Sequence, residues 1–302
     1  MLQSSVPEKL AQVTAEAWEG GGFLGQAYGP IIEALEEWEL PVIHHAGASA
    51  GAITAMLRAI GAPAAHVRQI QEATPWAEFA AYHPPAVLRL AFSGGWHSID
   101  FARRWIVERL LEAGFPEDLT FHGLHRRTGH HLYVAATRYL RRGAAADAQP
   151  HVFSTEDTPE VPVADAVLAS MAVPLFWPPV QVDGWWHCDG GVAMNHPLSI
   201  FSGLPCDQVL GVRLDSHREI EDAGGDVAVR PLRPRLPEIL VANATMLRAV
   251  ANQAFVPKEL WQRIIRIDVG DESALDFRAR PERIDRLRAA GAAALSSWVS
   301  TP

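Results

Sequence analysis

Apolar and polar positions follow two periods along this chain. Ala27, Ile31, Ala34, Leu35 and Trp38 recur at helical spacing and predict a helix over 26–38, with Pro30 inside it to start it late or bend it. The run LPVIHHAG (40–47) is short, apolar and closed by glycine, as a buried strand is. From Ala50 the helical period returns, with Ile53, Met56, Leu57 and Ile60 on one face and Gly61 and Pro63 to stop it. Further strands are predicted at HLYVAAT (131–137), HVFST (151–155), QVLGVRL (208–214) and RIIRIDV (263–269). PVQVDGWWHCDGG (179–191) reads as a hairpin that turns at Asp183-Gly184. A last helix opens at Pro281 and turns Ile284, Leu287, Leu295 and Trp298 toward the core. The segments 143–149 and 221–237 read as loops or loosely ordered connections. Alternating strand and helix patterns predict an α/β architecture. No internal repeat and no shift of composition divides the chain, so one domain over 1–302 is expected.

Composition narrows the function classes. The chain has 302 residues, 48% of them hydrophobic and 20% charged, enough for a sizeable core. A formal net charge of −9 argues against a nucleic-acid partner and against general adsorption to anionic membranes. The basic clusters Arg126-Arg127 and Arg138 with Arg141-Arg142 read as solvated surface. Cys188 and Cys206 make neither a disulfide framework nor a closely spaced metal pair, so a reduced cytoplasmic compartment is expected, with signal-less export left open. The N-terminus lacks a basic stretch followed by an apolar one, and no run reaches 18 apolar residues, so neither a secretory signal nor a transmembrane helix is expected. No metal cluster is visible, and no metal or cofactor is expected.

Three motifs carry the chemistry. Gly47-x-Ser49-x-Gly51 lies between a predicted strand and a predicted helix. A strand-to-helix elbow exposes a serine Oγ, and the flanking glycines let neighbouring backbones approach. The helix also aims its N-terminal N–H groups at the place where an oxyanion forms. The second motif, Gly20-Gly21-Gly22-Phe23-Leu24-Gly25, formally matches a dinucleotide fingerprint. That reading needs an acid at the end of the next strand, where this chain has His44-His45-Ala46-Gly47. Its glycine N–H groups can instead converge on an anion, as acyl transfer requires. The third motif, Asp189-Gly190-Gly191, reads either as a turn aspartate bonding its own backbone or as an aspartate delivered to a site of close backbone approach.

In this order the three motifs resemble those of the patatin-like phospholipases. EGGGFLGQAYGPIIEALEE (19–37) looks like the family's oxyanion loop and first helix, and GASAGAITAML (47–57) like its nucleophile elbow. The segment 163–198, VADAVLASMAVPLFWPPVQVDGWWHCDGGVAMNHPL, is similar to the one that delivers the family's catalytic aspartate, and FSGGWHSIDFARRWI (92–106) to a segment between the two sites. The resemblance covers roughly 17–215, and the part 216–302 matches more loosely. It implies a three-layer α/β/α sandwich around a central, mainly parallel sheet, and a Ser-Asp dyad without histidine. By position, Ser49 is then the nucleophile and Asp189 the general base. The oxyanion hole is then expected from backbone N–H groups of Gly20, Gly21, Gly22 and Gly25, centred on Gly21 and Gly22. Where the family usually has a basic residue this chain has Leu24. A substrate-phosphate contact there loses its usual partner, while the backbone hole is untouched.

The implied substrate is a lipid or small carboxylic ester, with transient contact to a membrane surface allowed and the oligomeric state open. A solvated aspartate is a feeble base, and partial burial would strengthen it, with Trp185, Trp186 and Phe176 as the expected apolar surroundings. A rival Ser-His-Asp esterase would use a histidine after the acid, and His196 and His217 both follow Asp189. His44 and His45 sit on the strand entering the elbow and are read as structural. A binding or effector protein that kept the fold without catalysis is the alternative of another class. The apolar, proline-containing stretch 77–96 reads equally as a lid or as an ordinary buried helix and loop.

Overall fold

The predicted strands, joined by a short strand at Ala15–Trp18 that the pattern does not announce, assemble into one eight-stranded sheet in the computed structural model, which describes residues 6–81, 95–142, 145–217, 256 and 258–301. The strands are β1 (Ala15–Trp18), β2 (His44–Ala48), β3 (His131–Arg142), β4 (Ala145–Ser154), β5 (Val180–Val182), β6 (Trp185–Asp189), β7 (Val209–Asp215) and β8 (Ile264–Asp268). Five of them run parallel in the order β3-β2-β1-β7-β8. β4, β5 and β6 join as an antiparallel extension, so the sheet is mixed. All seven residues of β7 are buried, as a central parallel strand requires.

The helices are α1 (Gly29–Glu37), α2 (Ala50–Ala59), α3 (Ala64–Ala73), α4 (Asp100–Glu112), α5 (Phe121–Thr128), α6 (Val163–Met171) and α7 (Pro281–Ser300). Pro30 starts α1 rather than bending it, in the first turn where a missing N–H costs nothing. A short 3-10 segment, Gly22–Tyr28, takes up the first part of the predicted helix. α2 ends as expected, with Gly61 left-handed at φ 74° and the Ala62 N–H returning to the Leu57 carbonyl. Ile31, Leu35, Met56, Val67, Leu110, Phe121, Val167 and Leu287 from the helices meet Trp18, Val134, Val212 and Ile265 of the sheet in one large core. On the other face, Ala15, Ala17, Ala46 and Val209 are covered by Leu198, Phe201 and Leu260. The architecture is a three-layer α/β/α sandwich.

One expectation fails here. The stretch 143–149 was read as a loop, yet β4 starts at Ala145 and Arg142 pairs with Ala145. Alanine-rich sequence has little strand propensity of its own, and the continuous ladder offered by β3 overrides it. The other expected loop, 221–237, lies outside the described residues, as does most of the 77–96 stretch. Asp183 (φ 48°) and Gly184 (φ 76°) turn the β5–β6 hairpin, both left-handed as a tight two-residue turn demands.

The register of β3 positions the site. Tyr133 to Ala135 pair with β2 on one side and with β4 on the other. Ala136 to Arg138 pair with β6 and again with β4. Since a strand has two edges, β2 and β6 must share the edge that β4 leaves free. β2 runs along that edge until Ala48 meets Ala135, and β6 runs the opposite way until Asp189 meets Ala136. The two strands therefore converge end to end on consecutive residues of β3.

Candidate active site

Ser49 is the residue at which β2 becomes α2. It has φ 52° and ψ −121°, a left-handed conformation that a non-glycine residue holds only where its surroundings enforce it. One enforcing contact is a hydrogen bond from the Ser49 N–H to Ser170 Oγ at 2.8 Å. The Ser170 hydroxyl in turn donates to the Ala135 carbonyl at 2.6 Å, at the junction where β2 and β6 meet. The other is close packing: a Cβ at Gly51 would collide with the Trp18 carbonyl, so only glycine lets the first turn of α2 lie against β1. Gly47 is confined in the same way by the backbone of Gly51 and Ala52.

Asp189 ends β6 and arrives at the same junction. Its N–H donates to the Ala172 carbonyl at 2.9 Å, and its carbonyl accepts from Thr137 Oγ1 at 2.8 Å. Its Oδ1 accepts from the Gly191 N–H at 2.6 Å, which fixes one carboxylate oxygen on its own turn. Gly190 crosses so close over β3 that a Cβ would strike the Ala135 carbonyl and stand 3.2 Å from the Ala48 Cβ. Ser49 and Asp189 are both largely covered, at 8% and 5% exposure.

The glycine loop closes the third side. A Cβ on Gly20 would lie 3.0 Å from the Ser49 Cβ. Gly22 has φ 53°, and a Cβ there would collide with the Ala274 carbonyl. The Gly21 and Gly22 N–H groups donate to no partner among the described residues. Gly20 differs from its neighbours: its N–H donates to the Asn195 carbonyl at 3.0 Å, so it shapes the loop and offers no donor. Gly25 lies within the 3-10 segment and packs toward Ala50 and Tyr28.

The histidines are placed elsewhere. His44 and His45 begin β2, four to five residues before Ser49, or about 13–17 Å down an extended strand. The His45 Nδ1 lies 2.7 Å from the buried Glu16 Oε1, which Arg58 also approaches at 3.1 Å. Burial alone would raise the Glu16 carboxyl, but Arg58 and His45 outweigh it and hold it at about 2. His44 stacks on His131. His196 is buried with its Nε2 3.3 Å from the Ala17 carbonyl and its ring beside Gly211, and burial with Arg213 nearby pushes it down to about 3. His217 is exposed and pairs with Asp268 at 2.9 Å. His187 faces Arg138, and burial and that guanidinium push it to about 4. Cys188, beside Asp189, is a free thiol that burial raises to about 12, and Cys206 is also free.

The expected apolar shield of Asp189 is not formed by the tryptophans. Trp185 and Trp186 are 45% and 51% exposed, three to four residues back along β6 at its far end. Phe176 packs against Trp177 and Phe277 instead. Among the described residues no group of three or more His, Cys, Asp or Glu is placed to hold a metal, and no helix is long and apolar enough to cross a membrane.

The family model of the patatin-like phospholipases matches residues 17–202, from β1 through the elbow and β6. The chain belongs to this family. Family membership places it, at that level, among lipid hydrolases. Among curated proteins it is 24% identical over 282 residues to the uncharacterized protein R571 of Acanthamoeba polyphaga mimivirus, covering 91% of each chain. Among solved structures, VipD from Legionella pneumophila superposes with a TM-score of 0.60 at 16% identity, over 95% of this chain and 67% of VipD. The type III effector protein ExoU superposes with a TM-score of 0.50 at 18% identity, over 95% of this chain and 53% of ExoU, so this chain spans about half of that protein. At these identities the likenesses to solved structures show the fold.

Sequence reading missed three residues that the structure puts at the site: Ser170 beneath the elbow, and Glu19 and Asn195 beside the glycine loop. Their partners lie more than a hundred residues away along the chain, at separations of 121 and 176, so no local pattern marks them.

Proposed function

We propose that this chain is a serine acyl hydrolase that cleaves lipid carboxylic esters of the phospholipase A, lysophospholipase or esterase type, with Ser49 as nucleophile and Asp189 as general base. The observation that carries the proposal is the end-to-end convergence of β2 and β6 on Ala135 and Ala136, which delivers both residues to one place. Ser49 Oγ attacks the ester carbonyl carbon as Asp189 takes its proton. The Gly21 and Gly22 N–H groups, assisted by the first turn of α2, meet the negative charge on the carbonyl oxygen. The carbon–oxygen bond to the alcohol then breaks, and the alcohol leaves with the proton from Asp189. Water attacks the acyl-enzyme, again giving its proton to Asp189, and the fatty acid departs as Ser49 recovers its hydrogen. No histidine, metal or cofactor is needed for these steps.

Contact with a lipid surface has a natural place. Trp186 and Tyr139 (39% exposed) are neighbours on one face of the β3–β6 ladder, by extension of the Arg138–His187 register. Trp185 lies under the Arg138 guanidinium at 5.4 Å on the other face. Exposed tryptophan and tyrosine beside arginine suit the boundary between water and lipid.

The test is active-site labelling with a fluorophosphonate probe, followed by turnover of an ester chain-length series and defined phospholipids. Labelling of the wild type that disappears in Ser49→Ala supports the enzyme. Absence of wild-type labelling and turnover overturns it in favour of a catalytically silent binding protein.

A further inference from the structure

The geometry points to Asn195 as a positioning residue that couples the loop carrying the base to the loop carrying the oxyanion donors, an inference that rests on the proposed function. The two loops are otherwise separate in sequence. Six residues after Asp189, the chain has turned back on itself through bonds from Ala193 and Met194 N–H to the Gly190 carbonyl, at 3.2 and 2.7 Å. This brings Asn195, 3% exposed, against Gly20. Asn195 then holds Gly20 from both sides. Its carbonyl accepts the Gly20 N–H at 3.0 Å, and its Nδ2 donates to the Gly20 carbonyl at 3.3 Å.

The second bond bears directly on catalysis. The Gly20 carbonyl and the Gly21 N–H belong to one planar, trans peptide, so fixing the direction of one fixes the other. Holding the Gly20 oxygen therefore sets the aim of the first oxyanion donor. The same Nδ2 donates to Glu19 Oε1 at 2.8 Å, while Glu19 Oε2 accepts the Leu214 N–H on β7 at 2.6 Å. Glu19 is fully buried at the end of β1 and is held further by Tyr28, whose hydroxyl donates to the Glu19 carbonyl at 2.5 Å. The clamp is thus anchored in the sheet through β7. Asn195 Oδ1 fills the gap between the loops, since a Cβ on either Gly20 or Gly191 would run into it. The side chain supplies both donors from one amide nitrogen, to the Gly20 carbonyl and to Glu19, while its oxygen occupies the space between the glycines.

Asn195 acts in this proposal through the Gly20–Gly21 peptide. Its removal is expected to disturb the transition state more than the ground state. The test uses Asn195→Ala and the isosteric Asn195→Asp, which sets a carboxylate against Glu19. Active sites are first counted by fluorophosphonate labelling of Ser49. Three quantities are then compared with wild type: kcat, KM, and the affinity of a trifluoromethyl ketone analogue of the substrate, which binds as a tetrahedral oxyanion on the serine. Removing a donor outright costs about 100- to 1000-fold in kcat, so misaiming one is expected to cost about 10- to 100-fold in both variants. The ketone should weaken by a comparable factor, with KM within about threefold of wild type. A purely structural role would lower the number of labelled sites or the melting temperature and leave these per-site ratios alone. The proposal is overturned if both variants keep kcat and ketone affinity within about twofold of wild type, or if kcat falls with ketone affinity unchanged. If Asn195→Ala fails to fold, Asn195→Asp decides. A wild type that neither labels nor hydrolyses esters sinks the function itself, an outcome distinct from failure of the clamp.

Discussion

Replacing Ser170 by alanine removes a single oxygen from the buried junction beneath Ser49, the proposed nucleophile. In the native protein that oxygen accepts the Ser49 N–H at 2.8 Å and donates to the Ala135 carbonyl at 2.6 Å, and the residue is fully buried. Without it the Ser49 N–H is left buried with no acceptor, and an unsatisfied buried group costs about 1–3 kcal/mol. The left-handed conformation of Ser49 stores about 1–3 kcal/mol of its own, held against relaxation partly by this bond. The variant can therefore relax the elbow and move Oγ, so stability and activity should fall together. At about 2.1 cal/mol/K per residue, a chain of 302 residues shifts by about 1.6 °C per kcal/mol, so the melting temperature should drop by roughly 2–5 °C. A displaced nucleophile should slow both fluorophosphonate labelling and ester turnover by about tenfold or more, since a misplacement of about 1 Å can cost 100-fold. Ser170→Thr keeps the hydroxyl and should recover part of the loss in rate. A Ser170→Ala protein that melts within 1 °C of wild type and labels at an unchanged rate would refute the reasoning, because the elbow would then not depend on the bond (a change so small is worth under about 0.7 kcal/mol).

Other expectations follow from the same structure. Trp185→Ser with Trp186→Ser should reduce hydrolysis of phospholipid vesicles at least about fivefold more than hydrolysis of a soluble short-chain ester; equal effects on both would remove the hairpin from lipid contact. His217→Ala should leave turnover within about twofold of wild type, since the proposed mechanism gives no step to this exposed histidine paired with Asp268; a loss above about 100-fold would revive the histidine-based triad. Stability should fall as the pH drops below neutrality. His151, His187 and His196 are depressed to about 4, 4 and 3 in the folded chain, so from about 6.5 downward the unfolded chain binds protons that the folded one refuses. Each adds a slope of up to about 1.4 kcal/mol per pH unit until its folded value is reached. Glu16 extends the loss, since its stabilisation is complete above about 4.5 and disappears toward about 2. Urea midpoints that stay level between pH 7 and pH 4.5 would contradict this.

Much of the candidate site's layout could be read from the chain because its first elements are local. Gly47, Ser49 and Gly51 need their spacing to make the elbow, and Gly22 needs a left-handed backbone that glycine supplies. Four of the parallel strands, β2, β3, β7 and β8, were legible as apolar runs, whereas the short β1, with Glu16 inside it, gives no such signal. Other features depend on tertiary placement. Ser170 is one small residue on a buried helix, and nothing in its neighbourhood announces that its hydroxyl supports Ser49. Asn195 and Glu19 acquire meaning only where a turn after β6 meets the end of β1. The first part of β4 looked like a loop because its alanines carry no strand preference, and the long β3 edge supplied the order. Trp185 and Trp186 looked like neighbours of Asp189 in sequence, yet a strand carries residues three or four positions away by about 10–14 Å. The paired histidines before Ser49 misled for the same reason: on an extended strand, closeness in sequence is distance in space.

Turnover by Asp189→Asn tests the central claim most directly. The substitution keeps the size of the side chain and removes its capacity to take a proton. Measured per folded molecule on a soluble ester, kcat should fall by about 100- to 10,000-fold, the range for losing a general base. An Asp189→Asn protein with wild-type turnover would contradict the Ser49–Asp189 dyad.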